Sequence, residues 1–442
     1  MERQEQYVLR TVEERGIRFV RLWFTDVLGF LKSFAITPAE LEVAFQEGMQ
    51  FDGSAIEGFS RVQEADMLAR PDPTSFQILP WRGEQNAVAR MFCNITTPDG
   101  EPFGGDPRTV LQRNLERASK NGHTFYVGPE LEYFYFEDSG PEPQVLDRGG
   151  YFDLTPLDVA QEYRRRTIMM LEQLGIPVEL SHHEVSPSQH ELDLRHTDAL
   201  TMADNLMTTR LTVKEVALEH GIYATFMPKP LEGVDGNALH LHLSLFDGET
   251  NAFHDPDGEY GLSNTARGFI AGLLTHAPEI TAITNQWVNS YKRLVSGFEA
   301  PIHVTWARNN QSALVRVPTP KRDKVDSIRI EYRAADPATN PYLAFSVLLA
   351  AGLAGIEGGY ELPAQTVENT FAMSPDERRS LGLGRLPGTL SEALDLMEGS
   401  ELVADALGDH VFEWFLRNKR NEWDRYQRHV SHYELTEYLP LL

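Results

Sequence analysis

Residues 181–194 read SHHEVSPSQHELDL, with Glu184 and Glu191 on either side of Pro187 and Ser188. On one uninterrupted strand these two glutamates, of opposite parity, would point at opposite faces. Proline and serine break the run where a turn would fold it into a hairpin. Positions whose numbers sum to 375 then lie across from each other, which sets Glu184 against Glu191. Directly opposed side chains of an antiparallel pair have Cβ atoms roughly 5 Å apart, and like charges there are destabilising. No Lys or Arg lies inside the segment before Arg195, so a divalent cation is the economical counter-charge.

Three more strand-like runs carry an apolar face and a face crowded with ionisable groups. In ALHLHLSL, from Ala238, four leucines alternate with His240, His242 and Ser244; in SIRIEYR, from Ser327, Ile328, Ile330 and Tyr332 alternate with Arg329, Glu331 and Arg333. In PELEYF, from Pro129, Glu130 and Glu132 share a face about 6.6 Å apart. A sheet wetting one side could look similar. Such an outer face, however, usually mixes Lys, Thr, Gln and Ser, whereas these strands hold mainly Glu, His and Arg. Five carboxylates and an imidazole form a hard, oxygen-rich donor set suited to Mg²⁺ or Mn²⁺, in a cage large enough for more than one ion. Arg293, Arg316, Arg329 and Arg333 lie on or beside these elements, and guanidinium forks grip phosphate and carboxylate bidentately. Metals among arginines at an acidic site point to phosphoryl transfer, which is mostly positioning and charge neutralisation. Neither GxxxxGK[ST] nor GxGxxG occurs, so a nucleotide is held by other means.

The elements that must position these groups can be read in outline. A helix over 2–15 ends at Gly16, and the runs 17–25 and 30–36 form a hairpin. Thr37, Pro38, Ala39 and Glu40 read as a capping box leading to a helix as far as about Gln46. The acidic, glycine-rich stretch 51–67 reads as a functional loop, and strands near 76–81 and 87–95 complete a small mixed domain. The Pro and Gly cluster at 97–108 marks the boundary, giving domains 1–103 and 104–442. Helices are expected at 107–122, 156–174, 197–220, 263–279 and from Pro341, capped by Asn340, and over most of the C-terminal stretch. Strands are expected at 126–137, 222–227, 238–246, 302–306, 312–317 and 327–333, with a mobile loop around Gly297.

Composition bounds the partners. With 40 basic and 65 acidic residues the formal charge is −25, which argues against nucleic acid or an anionic membrane. The single Cys93 excludes an internal disulfide and a thiolate metal site. The N-terminal stretch has no apolar signal core, and the apolar run 342–356 is too short to span a bilayer. A soluble cytoplasmic protein is the expectation.

Seven motifs occur in one order: FDGSAIEGF at 51, PELEYF at 129, SHHEVSPSQHELDL at 181, TFMPKPL at 225, ALHLHLSL at 238, NSYKRLVSGFEAP at 289 and IEYRAADPATNPYLAFSVLLAAG at 330. Along nearly its whole length the chain resembles the type I glutamine synthetase family. The resemblance implies an α+β fold: an N-terminal β-grasp domain, a catalytic domain with a curved antiparallel sheet flanked by helices, and a dodecamer of two stacked hexamers with active sites between subunits. It implies ATP and Mg²⁺ (or Mn²⁺) as cofactors, with Glu132, Glu184 and Glu191 on one ion and Glu130, His240 and Glu331 on a second. Arg293, Arg333 and Gly236 would hold glutamate, Arg316 and Arg329 phosphate, and His242 and Ser244 the nucleotide. Asp52, from the adjacent subunit, would take a proton from ammonium, and Glu299 would shield the intermediate. The implied reaction phosphorylates the γ-carboxylate of L-glutamate, after which an amine displaces phosphate from γ-glutamyl phosphate.

The chain also departs from the family pattern. It has DGNALH at 235 where the family usually reads NGSGMH, so Asp235 replaces an asparagine on the glutamate side. At Asn310, Gln311 and Ser312 the family usually has NRS, and a guanidinium is missing unless Arg308 substitutes. Phe371 stands where the family has its adenylylated tyrosine, and Arg61 matches a position used for glutamine feedback. Three readings follow: a glutamate–ammonia ligase; the same chemistry with a polyamine, ethanolamine or an alkylamine; and a weakly active regulatory homologue.

Overall fold

The computed structural model describes residues 3–60, 66–83, 86–154, 159–296, 300–320, 324 and 327–442. Helix α1 (Arg3–Glu14) buries Val8 and Val12, and Gly16, at φ +61°, turns the chain out of it. Strands β1 (Phe19–Thr25) and β2 (Leu31–Ile36) form the expected hairpin. The expected capping box does not form. Pro38–Glu40 is a 3₁₀ turn in which the Glu40 amide donates to the Thr37 carbonyl, so the Thr37 hydroxyl caps nothing, and α2 (Leu41–Gln46) follows.

The stretch read as loop is partly strand. β3 (Met49–Asp52) pairs antiparallel with β4 (Asp66–Pro71), the cross-strand backbone bonds overriding the weak local pattern. Arg61 falls outside the described residues. With β5 (Gln77–Ile78) and β6 (Val88–Thr96) these strands make a mixed sheet in the order β2-β1-β6-β4-β3, where β1 and β6 run parallel. One face packs on α1 and α2 through Val20, Leu22, Met91 and Ile95. Trp23 and Phe92 project from the other face into the core of the larger unit.

Beyond the Pro and Gly cluster, the Asp106 carboxylate accepts from the Arg108 amide at the start of α3 (Pro107–Lys120). The scaffold that follows is β7 (His123–Phe136), α4 (Ala160–Gln173), β8 (Val178–His183), β9 (Gln189–Leu194), β10 (Thr197–Asp198), α5 (Ala199–Glu219), β11 (Tyr223–Thr225), β12 (Leu239–Asp247) and β13 (Thr250–Asn251). Next come α6 (Asn264–Thr284), the short α7 (Ser290–Arg293), β14 (His303–Val304), β15 (Trp306–Ala307), β16 (Val315–Arg316), β17 (Ile330–Tyr332) and α8 (Pro341–Glu357). The C-terminal stretch is mostly helical, as expected, from α9 (Pro375–Ser380) through α10 (Leu390–Glu398), α11 (Glu401–Leu407) and α12 (Asp409–Gln427) to α13 (His432–Glu437).

A curved sheet runs β15-β16-β17-β12-β7-β9-β8, with every neighbouring pair antiparallel except β15 and β16. Its leucine and tyrosine face packs into one core with α3, α5, α6 and α8. Helix α6 continues past the expected stop at 279, through Pro278, because Ile280, Ala282 and Ile283 are still buried. It can lie on α8 because both helices carry glycine at the crossing: a Cβ on Gly272 would sit 2.1 Å from the Ala351 carbonyl. Among the described residues no helix is long and apolar enough to cross a membrane.

Candidate active site

Strand register gathers the ionisable face. Glu191 on β9 lies opposite Glu132 on β7, and Glu130, two residues along β7, lies opposite His240 on β12. His242, two residues along β12, lies opposite Glu331 on β17, which in turn faces Arg316 on β16. Because alternate residues of a strand share a face, this register places all of them on one side of the sheet. That side is mostly shielded from solvent: Glu132, Glu184, Glu191, Glu331, Arg293 and Arg333 are buried, and Glu130, His240, His242 and Arg316 are partly buried.

The hairpin forms, but its register differs from expectation. His182 pairs with Glu191 and His183 with His190, so paired positions sum to 373. The turn is therefore moved toward the first strand: the Glu184 amide donates to the Gln189 carbonyl, residues 185–188 make the connection, and Ser188 takes a left-handed φ of +61°. Glu184 and Glu191 share a face on a diagonal, and His182 sits between them, its Nδ1 3.6 Å from Glu184 Oε1 and its Nε2 3.3 Å from Glu191 Oε1.

Two clusters of donors result. In the first, His182, Glu184 and Glu191 bring ligand atoms within 4.8 Å of one another. Burial pushes the Glu132 carboxyl well above its usual range, and the nearby Glu184 charge pushes it further. Burial, and then the Glu132 charge, does the same to Glu191. Gln189 Nε2 (2.9 Å) and the Ala238 amide (2.8 Å) both donate to Glu132 Oε2 and fix that carboxylate. In the second cluster, Glu130, His240 and Glu331 also come within 4.8 Å. Burial opposes the charge on Glu130, but bonds from His240 (3.0 Å) and His242 (2.7 Å) prevail and hold its carboxyl well below the usual range. Burial and the Arg333 charge push His240 down to about 4. Arg316 and Arg333 each donate to one oxygen of Glu331. Mutually repelling carboxylates with a neutral imidazole fit divalent cations that prefer oxygen.

Arginines close the other side. Arg293 directs two of its N–H groups at the Ala334 (2.7 Å) and Arg333 (3.3 Å) carbonyls, and the Arg329 Nε donates to His242 Nδ1 at 3.1 Å. One cleft is lined by Glu132, Glu184, His240, Gly236, Arg293 and Arg333, with Asp235 on its wall. Gly236 has to lack a side chain, since a Cβ there would meet the Pro228 carbonyl at 2.2 Å. Ser244 is buried opposite Tyr126, whose ring lies 5.0 Å from that of Phe246. An adjoining cavity brings Gln311 and Phe371 beside Arg316 and Arg333. Arg308 does not replace the missing guanidinium: it lies 4.8 Å over the Tyr260 ring.

Asp52 is not part of this cleft in its own chain. It ends β3, where it accepts from the Ser54 amide at 3.0 Å. Glu299 and Gly297 lie outside the described residues. The sequence reading missed three residues on the ligand face: His182, Gln189 and Asp193, the last pushed up to about 6 by burial. Alternation carried the signal for Gln189 and Asp193, which share parity with Glu191, and for His182, which shares parity with Glu184; its place opposite Glu191 required the register.

Comparisons with known proteins identify the family. Residues 16–98 match the family "Glutamine synthetase, beta-Grasp domain", and residues 104–438 match "Glutamine synthetase, catalytic domain". A glutamine synthetase of Mycolicibacterium smegmatis is 58% identical over 446 residues, covering 100% of both chains. One from Thermotoga maritima is 46% identical over 437 residues, covering 98% of this chain and 99% of the relative. Among solved structures, a "GmaS/ADP complex" superposes with a TM-score of 0.89 at 32% identity, covering 98% of this chain and 99% of that one. With both domains matched, and relatives this similar along their full length, the chain belongs to the glutamine synthetase family.

Proposed function

We propose that this protein is an ATP-dependent ligase that joins ammonia to the γ-carboxylate of L-glutamate through γ-glutamyl phosphate. The observation that carries the reading is the row of buried acids and imidazoles facing Arg293, Arg316, Arg329 and Arg333 across one face of a sheet. Relatives of equal length that bear the name glutamine synthetase support the same chemistry.

Glu132, Glu184 and Glu191 would hold one divalent ion, Mg²⁺ or Mn²⁺, and Glu130, His240 and Glu331 the other. Bound ions supply charge neutralisation for the moving phosphoryl group. The chain's own groups do the rest. Arg293 and Arg333, with Gly236, take the carboxylates of glutamate; Arg316 and Arg329 take phosphate oxygens; His242 and Ser244 border the nucleotide. Asp52, contributed by a neighbouring copy, accepts the ammonium proton, and Glu299 screens the acyl phosphate from water. This assignment calls for a homo-oligomer, a dodecamer of two stacked hexamers, with residues 1–103 of one copy reaching the catalytic unit 104–442 of the next. A reducing cytoplasm suits the lone Cys93, which is buried and whose thiol burial pushes up.

A second reading, ligation of a larger amine, draws on Asp235, an added acid on the cleft wall beside Glu132 and Glu184. Phosphate release with ATP, glutamate and a panel of ammonium, methylamine, ethanolamine and putrescine decides between them. Ammonium as the best acceptor by kcat/KM supports the first reading. A larger amine in first place replaces it with the second, and nucleotide binding without turnover on any amine leaves the regulatory homologue.

A further inference from the structure

The ligand hairpin has a second face. There His183 and His190 stand directly opposite each other, pointing away from Glu184 and Glu191. A segment leading from β7 toward α4 passes beneath, and its Asp147 reaches up into the turn. Asp147 Oδ1 accepts from the Ser188 amide (3.0 Å) and the Gly149 amide (3.0 Å), and lies 2.8 Å from His183 Nε2. Ser188 returns the bond, its hydroxyl oxygen accepting from the Asp147 (3.2 Å) and Leu146 (2.6 Å) amides.

This reciprocal clasp holds Ser188 at φ +61°, a conformation a non-glycine residue keeps only when its surroundings impose it. Both ends of the turn depend on it. At one end, His183 Nδ1 lies 2.7 Å from the Glu184 carbonyl, so Asp147 reaches the Glu184 peptide through one imidazole. At the other end, Ser188 leads into Gln189, whose side chain donates to Glu132 and whose carbonyl accepts the Glu184 amide. The space is tightly used: a Cβ on Gly149 would lie 2.7 Å from His183 Nε2.

We propose that Asp147 is a positioning residue for the carboxylates Glu184 and Glu191, its clasp with Ser188 and His183 setting the turn that makes them converge on one divalent ion. The proposal rests on reading those carboxylates as metal ligands.

The test is Mn²⁺ binding to the full-length protein without substrates, followed by electron paramagnetic resonance of free Mn²⁺ and compared with the Mn²⁺ dependence of phosphate release. Asp147→Ala is expected to weaken Mn²⁺ binding at least about tenfold, the usual effect of losing a group that orients ligands. The KM for glutamate at saturating Mn²⁺ should stay within about twofold, a split that general loss of structure would not produce. Ser188→Gly relieves the strained backbone while deleting the clasp hydroxyl, so it keeps the fold and should weaken Mn²⁺ in the same direction. Wild-type Mn²⁺ affinity in both variants overturns the proposal. Wild-type affinity in Glu191→Gln as well would overturn the metal reading, and the proposal with it.

Discussion

The His182 imidazole lies directly across the hairpin from Glu191, its Nε2 3.3 Å from the carboxylate, while its Nδ1 faces Glu184 at 3.6 Å. The imidazole thus sits between the two acids, its Nδ1 3.0 Å from the His183 carbonyl and the Phe152 ring stacked on it at 4.3 Å. Glu132, opposite Glu191 on the next strand, takes its hydrogen bonds instead from the Gln189 side chain and the Ala238 amide.

Removing the charge on Glu191 tests the cluster directly. Glu191→Gln is expected to lower kcat/KM for phosphate release at least about a hundredfold, since a divalent ion contributes several kcal/mol to charge neutralisation. Excess Mg²⁺ should recover part of that activity. Steady-state assays across a Mg²⁺ series check both points.

Crowding of acids also predicts a pH dependence of the metal-free protein. Burial raises the carboxyls of Glu132 and Glu191, the Glu184 charge adding to the first and the Glu132 charge to the second, so the folded chain holds more protons than the unfolded chain above their ordinary value of 4.5. Stability contributed by these groups therefore falls as pH rises from 4.5 through the raised values. Divalent ions should reverse that fall. Thermal midpoints measured between pH 5 and 8, with EDTA and with Mg²⁺, are expected to diverge as pH rises.

Glu331 is buried between two guanidiniums, Arg316 and Arg333. Glu331→Gln leaves both cations without their counter-charge and is expected to cost about 3 kcal/mol of stability, as breaking a buried pair does. Urea unfolding followed by tryptophan fluorescence measures the loss. Under the proposed roles of Glu331 as a metal donor and Arg316 as a phosphate contact, activity should fall with it.

Asp147 is held down to about 2, burial opposing and the His183 bond and the Ser188 and Gly149 amides prevailing. A lowered carboxyl stabilises the fold above its unfolded value of 3.8, and that contribution is lost as pH falls through about 2. Asp147→Asn should therefore lower stability at pH 7 by up to about 2 kcal/mol. Denaturant titrations from pH 7 down toward pH 2 should show the difference from wild type shrinking.

Gln311 lies beside Arg316 and Arg333 on the cavity that also holds Phe371, and Arg308 is engaged on Tyr260. Gln311→Arg is expected to raise kcat for phosphate release severalfold, since a donor aimed at transition-state charge is worth about 3 kcal/mol at best. Arg308→Ala should leave kcat within about twofold. Parallel kinetics on the two variants separate these roles.

Local sequence determined the alternation that puts Glu130 and Glu132, His240 and His242, and Arg329, Glu331 and Arg333 each on one side of a strand, because side-chain direction along a strand depends only on parity. It also set the caps at Asp106 and Asn340, where a short acceptor and a following proline define a helix start without distant help. It missed the strand over Asp66–Pro71, whose partners lie on strands before and after it, and shifted the ligand hairpin by one pair of positions, because its turn is held by Asp147 from a separate segment. The pairing of His182 with Glu191 therefore stayed hidden until the register was known, and so did the Asp147 clasp, made by residues 41 positions apart. The kinds of ligand were written in the residues; which of them meet was decided by the sheet, since only hydrogen bonding between distant strands can bring six separate segments to one face.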